Sequence, residues 1–522
     1  MSSLDDARRP QAEVEPNRRG AAVATPLSGL PTGRSRVELW ALVLICALGA
    51  GRILYGAATL PFFADTDEQV HFDLVHKYAR GHWPANHYEF WDPEVVELAV
   101  FYHSPEFLAV ASEYPAGEFP PPVRYWPMGP EKASYVAAVR AQLLHTPNHE
   151  AHSPPVYYAL AGLWYDAGRV CGVSGPYEVY WVRFLNVPVF AGLVATAYAL
   201  CRPGLGRDTA LASAALTAFF PNNVFFTANS DVLSPLTAGL TLLLLLRWYE
   251  SDRPARGTAA GAGAMAATAV LVKLTNAAVL VPLAFVVLAK FVRDRHLTRT
   301  LRAVWPMLVC AALPLALWGA RNRLVLGDWT ATAAKLEQLT WTPKPVNELL
   351  DHPIFTVDGL RGYVSKLTVQ FFDGDANWHK EAARSAAADS FFLTTSAFLP
   401  VIGLGGALWC GSREPRARFA AGLLALAVVT FLGVLTYLSM RFDFGRCTSP
   451  SRQFPFFTSG RLIAGGLVPF LVLYSLGIRT VLARRTALVA AAVVVTVAMM
   501  IWAQEPFLRL AAGSQYNWFH LR

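Results

Sequence analysis

Residues 37–60 read VELWALVLICALGAGRILYGAATL, an apolar run broken only by Glu38 and Arg52, and it is followed at once by FADTDEQVHFDLVH, residues 63–76. The run is long enough to cross about 30 Å of hydrocarbon as a helix. It is too long for a signal-peptide core, and no small-residue cleavage site follows it, so it reads as a retained transmembrane helix. Further apolar runs extend over approximately 181–200, 209–226, 232–248, 258–272, 276–291, 304–320, 391–410, 419–438, 462–482 and 487–503. With 54% hydrophobic and only 16% charged residues, the 522-residue chain departs far from a soluble composition. It reads as an all-α polytopic membrane protein of about eleven spans.

Charge placement orients it. The chain carries a net +8, which in a soluble protein would raise nucleic acid as a partner. Here the basic residues cluster in short connectors: Arg202–Asp208, Arg247–Arg256, Lys290–Arg302, Gly411–Arg418 and Arg479–Arg485. If the weaker aromatic run Pro154–Gly172 lies at the surface or re-enters, all five fall on the same side as the N-terminus. If it crosses, all fall on the other. The positive-inside rule selects the first arrangement and excludes a nucleic-acid reading. Residues 1–36 are then a disordered cytoplasmic tail. Residues 37–320 form a membrane module that includes a large extracytoplasmic loop, 61–153. Residues 321–390 are a second such loop, and 391–522 hold the last helices and an external tail. The expected location is the inner (cytoplasmic) membrane. The six cysteines form no close pair, so redox and metal-thiolate motifs are unsupported.

The aromatic-rich first loop opens on the sharpest candidate site. Asp65, Asp67 and Glu68 crowd together, and Glu68, His71 and Phe72 share a helical face. Crowded carboxylates suit general-base work or cation binding. They equally suit a solvated acidic cap on a helix N-terminus, and spacing leaves both readings open. A second segment, His145 to Tyr158, holds His149, Glu150 and His152 without zinc-protease spacing, which leaves a weaker metal site as an alternative. Its Pro-Pro pair and Tyr157 suit the start of an interfacial helix. Arg461, Arg183 and Lys273 stand at the expected external ends of spans. There a guanidinium can take a phosphate or simply snorkel to the interface. Asn229 and Asp231 lie in a polar turn at the same level. Asp373 and Asp375 look like a turn rather than a metal loop.

Three ordered segments carry a resemblance. Asp67-Glu68-x-x-His71-Phe72 is similar to the acidic motif of GT-C glycosyltransferases. His152-Ser-Pro-Pro-Val-Tyr-Tyr158 resembles the His-Pro-Pro-Leu-Tyr-Tyr segment of bacterial members, with Ser153 inserted. Ser459-Gly-Arg-Leu-Ile resembles their Gly-Arg-Tyr-Leu segment, with Leu462 in place of Tyr. A second Gly-Arg pair, Gly445-Arg446, also exists. The protein O-mannosyltransferase-like and aminoarabinose-transferase-like enzymes are the relatives in view. The resemblance implies a GT-C-like helix bundle with juxtamembrane helices in its first loop. It implies inverting transfer of a sugar from a polyprenyl-phosphate donor to a glycan, lipid or protein acceptor outside the cytoplasm. Carried over, Asp67 is the base, with Asp65 as rival and Glu68 beside it for acceptor or metal contacts. Arg461, supported by Arg183 and Lys273, binds the donor phosphate. His71, His152, Tyr157, Asn229 and Asp231 line the site. No cofactor is required, although Asp67 and Glu68 are placed to hold a divalent cation. A transporter or lipid-linked-sugar flippase is the competing class, and a non-catalytic assembly subunit is a weaker one.

Overall fold

The computed structural model describes residues 36–64, 67–102, 121–127, 129–251, 255–294, 297–375, 384–410, 415–447 and 450–521. The N-terminal tail up to residue 35 and the rival base Asp65 lie outside these residues. Nine helices among the described residues are long and apolar enough to cross a membrane: Arg36–Thr59, Tyr177–Leu205, Ser230–Glu250, Leu274–Asp294, Thr300–Leu326, Ala386–Trp409, Pro415–Arg441, Gly460–Val481 and Thr486–Gly513. Two shorter helices, Arg207–Ala218 and Arg256–Val272, pack among them, so the described residues show nine long spans where the sequence suggested about eleven. The fold is helical. The one described sheet is a two-residue antiparallel pair, Thr342–Pro343 with Phe442–Asp443.

The run expected to span 209–226 is helical only to Ala218. At about 1.5 Å per residue it reaches some 18 Å, short of a full crossing. A helix ending in apolar surroundings leaves carbonyls without partners. Arg52 of the first span supplies them. Its guanidinium donates to Ala218 O at 3.1 Å and Phe220 O at 2.9 Å, and to Gln504 Oε1 at 2.6 Å. The rings of Phe190 and Phe226 flank it. The lone arginine of the first apolar run is therefore a cap for a neighbouring helix.

The arginine-rich connectors meet at one end of the bundle. Lys290 donates to the terminal carbonyls of Tyr249 (3.1 Å) and Ser251 (2.6 Å). Arg479 bonds Leu205 O and, at 3.2 Å, Thr209 Oγ1, and Arg202 pairs with buried Glu38 at 2.6 Å. Cations on helix C-termini are favourable, so the same charges that orient the chain also lock its helix ends.

At the other end, three spans begin irregularly. The segments Ser230–Leu233, Leu274–Val279 and Gly460–Gly466 are 3-10 turns before the α-helix resumes. The first loop covers this end with helices Glu68–Ala79, Pro93–Tyr102 and Pro130–Leu144. The Val156–Val170 helix lies against Glu68–Ala79, buries Tyr157, Tyr158, Ala161 and Tyr165, and leaves Leu163 and Val170 exposed. At 15 residues it falls outside the long spans, in line with its reading as a surface helix.

Replacing Arg52 with Leu leaves the Ala218 and Phe220 carbonyls unpaired in an apolar environment. A loss of about 2–5 kcal/mol is expected, read as lower thermal stability of the detergent-solubilised protein. An unchanged melting temperature would contradict the capping role.

Candidate active site

The site is assembled from the first loop and the irregular span starts. Glu68 and Arg183 come first, because they fix the frame. Arg183 Nε and Nη2 each donate at 2.7 Å to the two oxygens of Glu68, and both side chains are fully buried. The Glu68 carboxylate also accepts from Phe63 N at 3.0 Å and Ala228 N at 2.9 Å. Arg183 further donates to Leu60 O and Pro61 O. This clamp ties the end of the first span, the start of the Glu68–Ala79 helix and the turn before Asn229 into one unit. Arg183, expected to support the donor phosphate, and Glu68, expected beside the base for acceptor or metal contacts, are paired with each other and fully buried in this arrangement.

Asp67 stands next to that clamp. It occupies the cap position of the helix with a left-handed φ of 68°, yet its side chain makes no capping bond. The carboxylate turns to Arg461 instead, Oδ2 to Nη2 at 2.5 Å across 394 residues of sequence. Its other oxygen lies 3.3 Å from His149 Nε2. The Asp67 side chain therefore does not cap its own helix, as the cap reading expected. Sparsely populated backbone held by surrounding structure is a feature of functional sites.

Arg461 is the centre. Beyond Asp67 it faces Asp231 Oδ2 at 3.8 Å and Asp375 Oδ2 at 3.4 Å, and its Nε donates to Ser459 Oγ at 3.3 Å. Lys273 Nζ donates to the same Asp231 oxygen at 2.6 Å. Asp231 is fully buried and its Oδ1 has no hydrogen-bond partner. Asn229 Oδ1 accepts from Asp231 N at 3.0 Å and so shapes the turn, while its buried Nδ2 has no partner among the described residues. Gly460 allows the close approach that brings Asp375 in, because a Cβ there would lie 2.2 Å from Phe371 Cα. The alternative pair places Arg446 exposed on a loop beside Thr340.

Sequence reasoning missed a second layer. Asp73 accepts from Lys77, Asn148 and Asp92 N, at 2.8, 2.7 and 2.7 Å. Asn148 Oδ1 in turn accepts from Glu150 N at 2.9 Å. This chain sets His149 and Glu150 against Asp67, and Lys335 and Ser153 bond the Glu150 carboxylate. The ligand atoms of Asp67, His149 and Glu150 lie within 4.8 Å of one another. This trio, rather than Asp67 with Glu68, could hold a divalent cation, its mixed imidazole and carboxylate donors suiting a transition metal.

Burial alone would raise the Asp67 carboxyl, but the Arg461 guanidinium and His149 outweigh it and hold it well below the usual carboxylate range. Glu150 is likewise held low, burial being overcome by Lys335, His71 and His149. His71 is pushed down to about 3 by burial, against a smaller upward pull from Glu150. Its Nδ1 meets Tyr158 Oη at 2.7 Å, and its Nε2 has no partner. Tyr157 is buried, and its hydroxyl has no partner among the described residues. His152 lines a recess with Ser153, Trp83, Trp318 and Arg321.

With this geometry in hand, comparison with known proteins is informative. Residues 154–318 match the family model for dolichyl-phosphate-mannose-protein mannosyltransferase. The resemblance read from three short motifs therefore meets an independent match over the membrane module. The matched stretch holds Asp231 and Lys273 but stops short of Arg461 and starts after Asp67. No curated protein matches the chain by sequence. Among solved structures it is similar to the archaeal oligosaccharyltransferase AglB from Archaeoglobus fulgidus, in complex with an inhibitory peptide and a dolichol-phosphate. The TM-score is 0.43 at 13% identity, covering 92% of this chain and 56% of that one. It is also similar to ArnT from Cupriavidus metallidurans bound to undecaprenyl phosphate, with TM-score 0.42, 14% identity, and coverage of 92% and 77%. The chain thus spans little more than half the length of the archaeal enzyme.

A buried histidine with a lowered pKa is neutral when folded and takes up a proton on unfolding. Its contribution is complete above the unfolded value near 6.5 and is lost as pH falls toward the folded value of about 3. Between pH 7 and 5 His71 should therefore cost the protein about 2 kcal/mol, at about 1.4 kcal/mol per unit. The difference in unfolding free energy between wild type and His71→Gln should narrow by that amount. A pH-independent difference would contradict the burial.

Proposed function

We propose that this chain is a polyprenyl-phosphate-sugar-dependent glycosyltransferase of the GT-C type, transferring with inversion. The observation that carries the proposal is the meeting of Asp67 with Arg461 where three spans begin as irregular turns. A lipid-borne phosphate lives at that height, and an acceptor arriving from water reaches Asp67 from above. The family matched over 154–318 is described by a dolichyl-phosphate sugar, which supports the donor class.

In this reading Arg461 and Lys273 hold the donor phosphate. The acceptor oxygen attacks the anomeric carbon and passes its proton to Asp67. The bond from that carbon to the phosphate oxygen breaks, and its electron pair stays on the phosphate. The charge gained there faces Arg461 and Lys273, where electrostatic stabilisation is most effective. One displacement inverts the sugar. The low pKa of Asp67 makes it a poor base while it is paired to Arg461. A phosphate competing for that guanidinium loosens the pair and lifts the carboxylate toward a useful range. His71 stays neutral on the flank, and Asp231 keeps Lys273 and Arg461 side by side. The Asp67–His149–Glu150 trio is able to hold a metal there, and the reaction as written needs none.

In this reading the site faces the extracytoplasmic side of the inner membrane, which the arginine-rich connectors at the opposite end support. The four regions expected from the sequence, 1–36, 37–320, 321–390 and 391–522, stand as the proposed organisation. The acceptor class stays open between glycan, lipid and protein. A transporter would place its ionisable residues near the midplane. The charged network lies at the span ends, which disfavours that class.

Purified protein with a polyprenyl-phosphate sugar and an envelope-derived acceptor fraction should yield glycosylated product. Asp67→Asn should lower turnover by at least about 100-fold, the scale of a lost general base, with donor binding retained. Full activity of Asp67→Asn would overturn the assignment.

A further inference from the structure

Residues 346–364 carry an apolar surface that the transferase reading does not use. They comprise a 3-10 turn, Val346–Asp351, with no buried residue, a second turn, Pro353–Phe355, and the start of the Val357–Asp373 helix. Large apolar side chains stand outward along them: Val346, Leu350, Phe355, Val357, Leu360 and Val364, from 44% to 84% exposed. Val357, Leu360 and Val364 fall at i, i+3 and i+7, one face of the helix. The same apolar stripe continues along the helix as Tyr363, Leu367 and Phe371, which are buried. Its outer turns are exposed and its inner turns are buried, so the apolar surface runs outward from the bundle.

Two contacts fix its height. Lys344 N donates to Arg441 O at 2.8 Å, at the last residue of the Pro415–Arg441 span. Tyr363 Oη lies 3.3 Å from Thr436 Oγ1. Thr436 is five residues inside that span, about 7.5 Å deeper at 1.5 Å per residue. The helix therefore lies level with the last turns of a membrane-crossing helix. Its outward face is continuous in height with that span's own exposed side chains, Tyr437, Leu432 and Val429. Exposed charges on the segment, Glu348, Asp351, Asp358 and Arg361, are of both signs, which fits a headgroup layer of mixed composition rather than an anionic patch.

We propose that residues 346–364 are an in-plane membrane anchor, with Val346, Leu350, Phe355, Val357, Leu360 and Val364 seated at the boundary between headgroups and acyl chains of the leaflet at the site end. The far end of the same helix leads directly to Asp375, which faces Arg461. The anchor thus holds one wall of the charged cluster at the height of lipid headgroups. It depends on the chain spanning a bilayer and not on the transferase reading.

Hydroxyl-radical footprinting with mass spectrometry tests it on the unmodified chain. The protein is placed in nanodiscs at one chain per disc, together with a lipid bearing a photoreactive group high on its acyl chain. Peptides covering 346–364 should be labelled several-fold less by radicals than the exposed segment around Glu337 and Tyr88, and should crosslink to the lipid. Radical labelling equal to that control, without lipid crosslinks, overturns the proposal. So does protection that appears only when two chains share a disc, which would assign the face to a second copy. Neither readout requires catalysis, so failure here is distinct from failure of the transferase reading.

Discussion

Arg183 and Glu68, 115 residues apart in sequence, meet in a two-pronged ion pair with no exposure on either side. Two members of the charged cluster are set by that pair. Asp67 is the residue before Glu68. Asp231 lies three residues after Ala228, whose amide bonds the same carboxylate. Removing one member of a buried pair leaves an uncompensated charge and costs about 3–5 kcal/mol. The carboxylate is saturated by four donors, so it is inert. Its neighbour, denied a place in that arrangement and held in a left-handed backbone conformation, is the one that faces the cluster.

The second consequence concerns charge. Asp67, Asp231 and Asp375 converge on one guanidinium, with Lys273 sharing Asp231. Buried charges persist only when paired. A phosphate brought to Arg461 competes with Asp67 above all, because Asp231 is also held by Lys273. Under the proposed function, phosphate binding and activation of the base would be one event: the anion that takes the cation would also free the carboxylate. The arrangement would keep Asp67 from acting on an acceptor before a donor is seated.

Much of this was legible in the chain itself. Apolar runs and basic connectors give the spans and their alternation, because both follow from transfer energetics that act locally. The segments around Asp67, Asp231, Lys273 and Arg461 stand out because charge at the edge of an apolar run is rare. Other features were not legible. The Gly-Arg segment marks Arg461, but nothing local shows that Arg183 pairs with Glu68; only the tertiary partner reveals that clamp. Arg52 reads as an interruption in an apolar run until the early end of the Arg207–Ala218 helix explains it. His149, Glu150 and Asp375 lack motif spacing, since they reach the site from two separate segments, positioned through Asn148 and Gly460. Their signal is geometric, and a single sequence does not contain it.

The central claim is that phosphate and Asp67 compete for Arg461, and a binding measurement tests it most directly. Titration of a polyprenyl phosphate into the purified protein should give tighter binding to Asp67→Asn than to wild type. A gain of about tenfold corresponds to about 1.4 kcal/mol of released competition. Arg461→Met should lose binding. Equal or weaker binding to Asp67→Asn, or undiminished binding to Arg461→Met, would contradict the account.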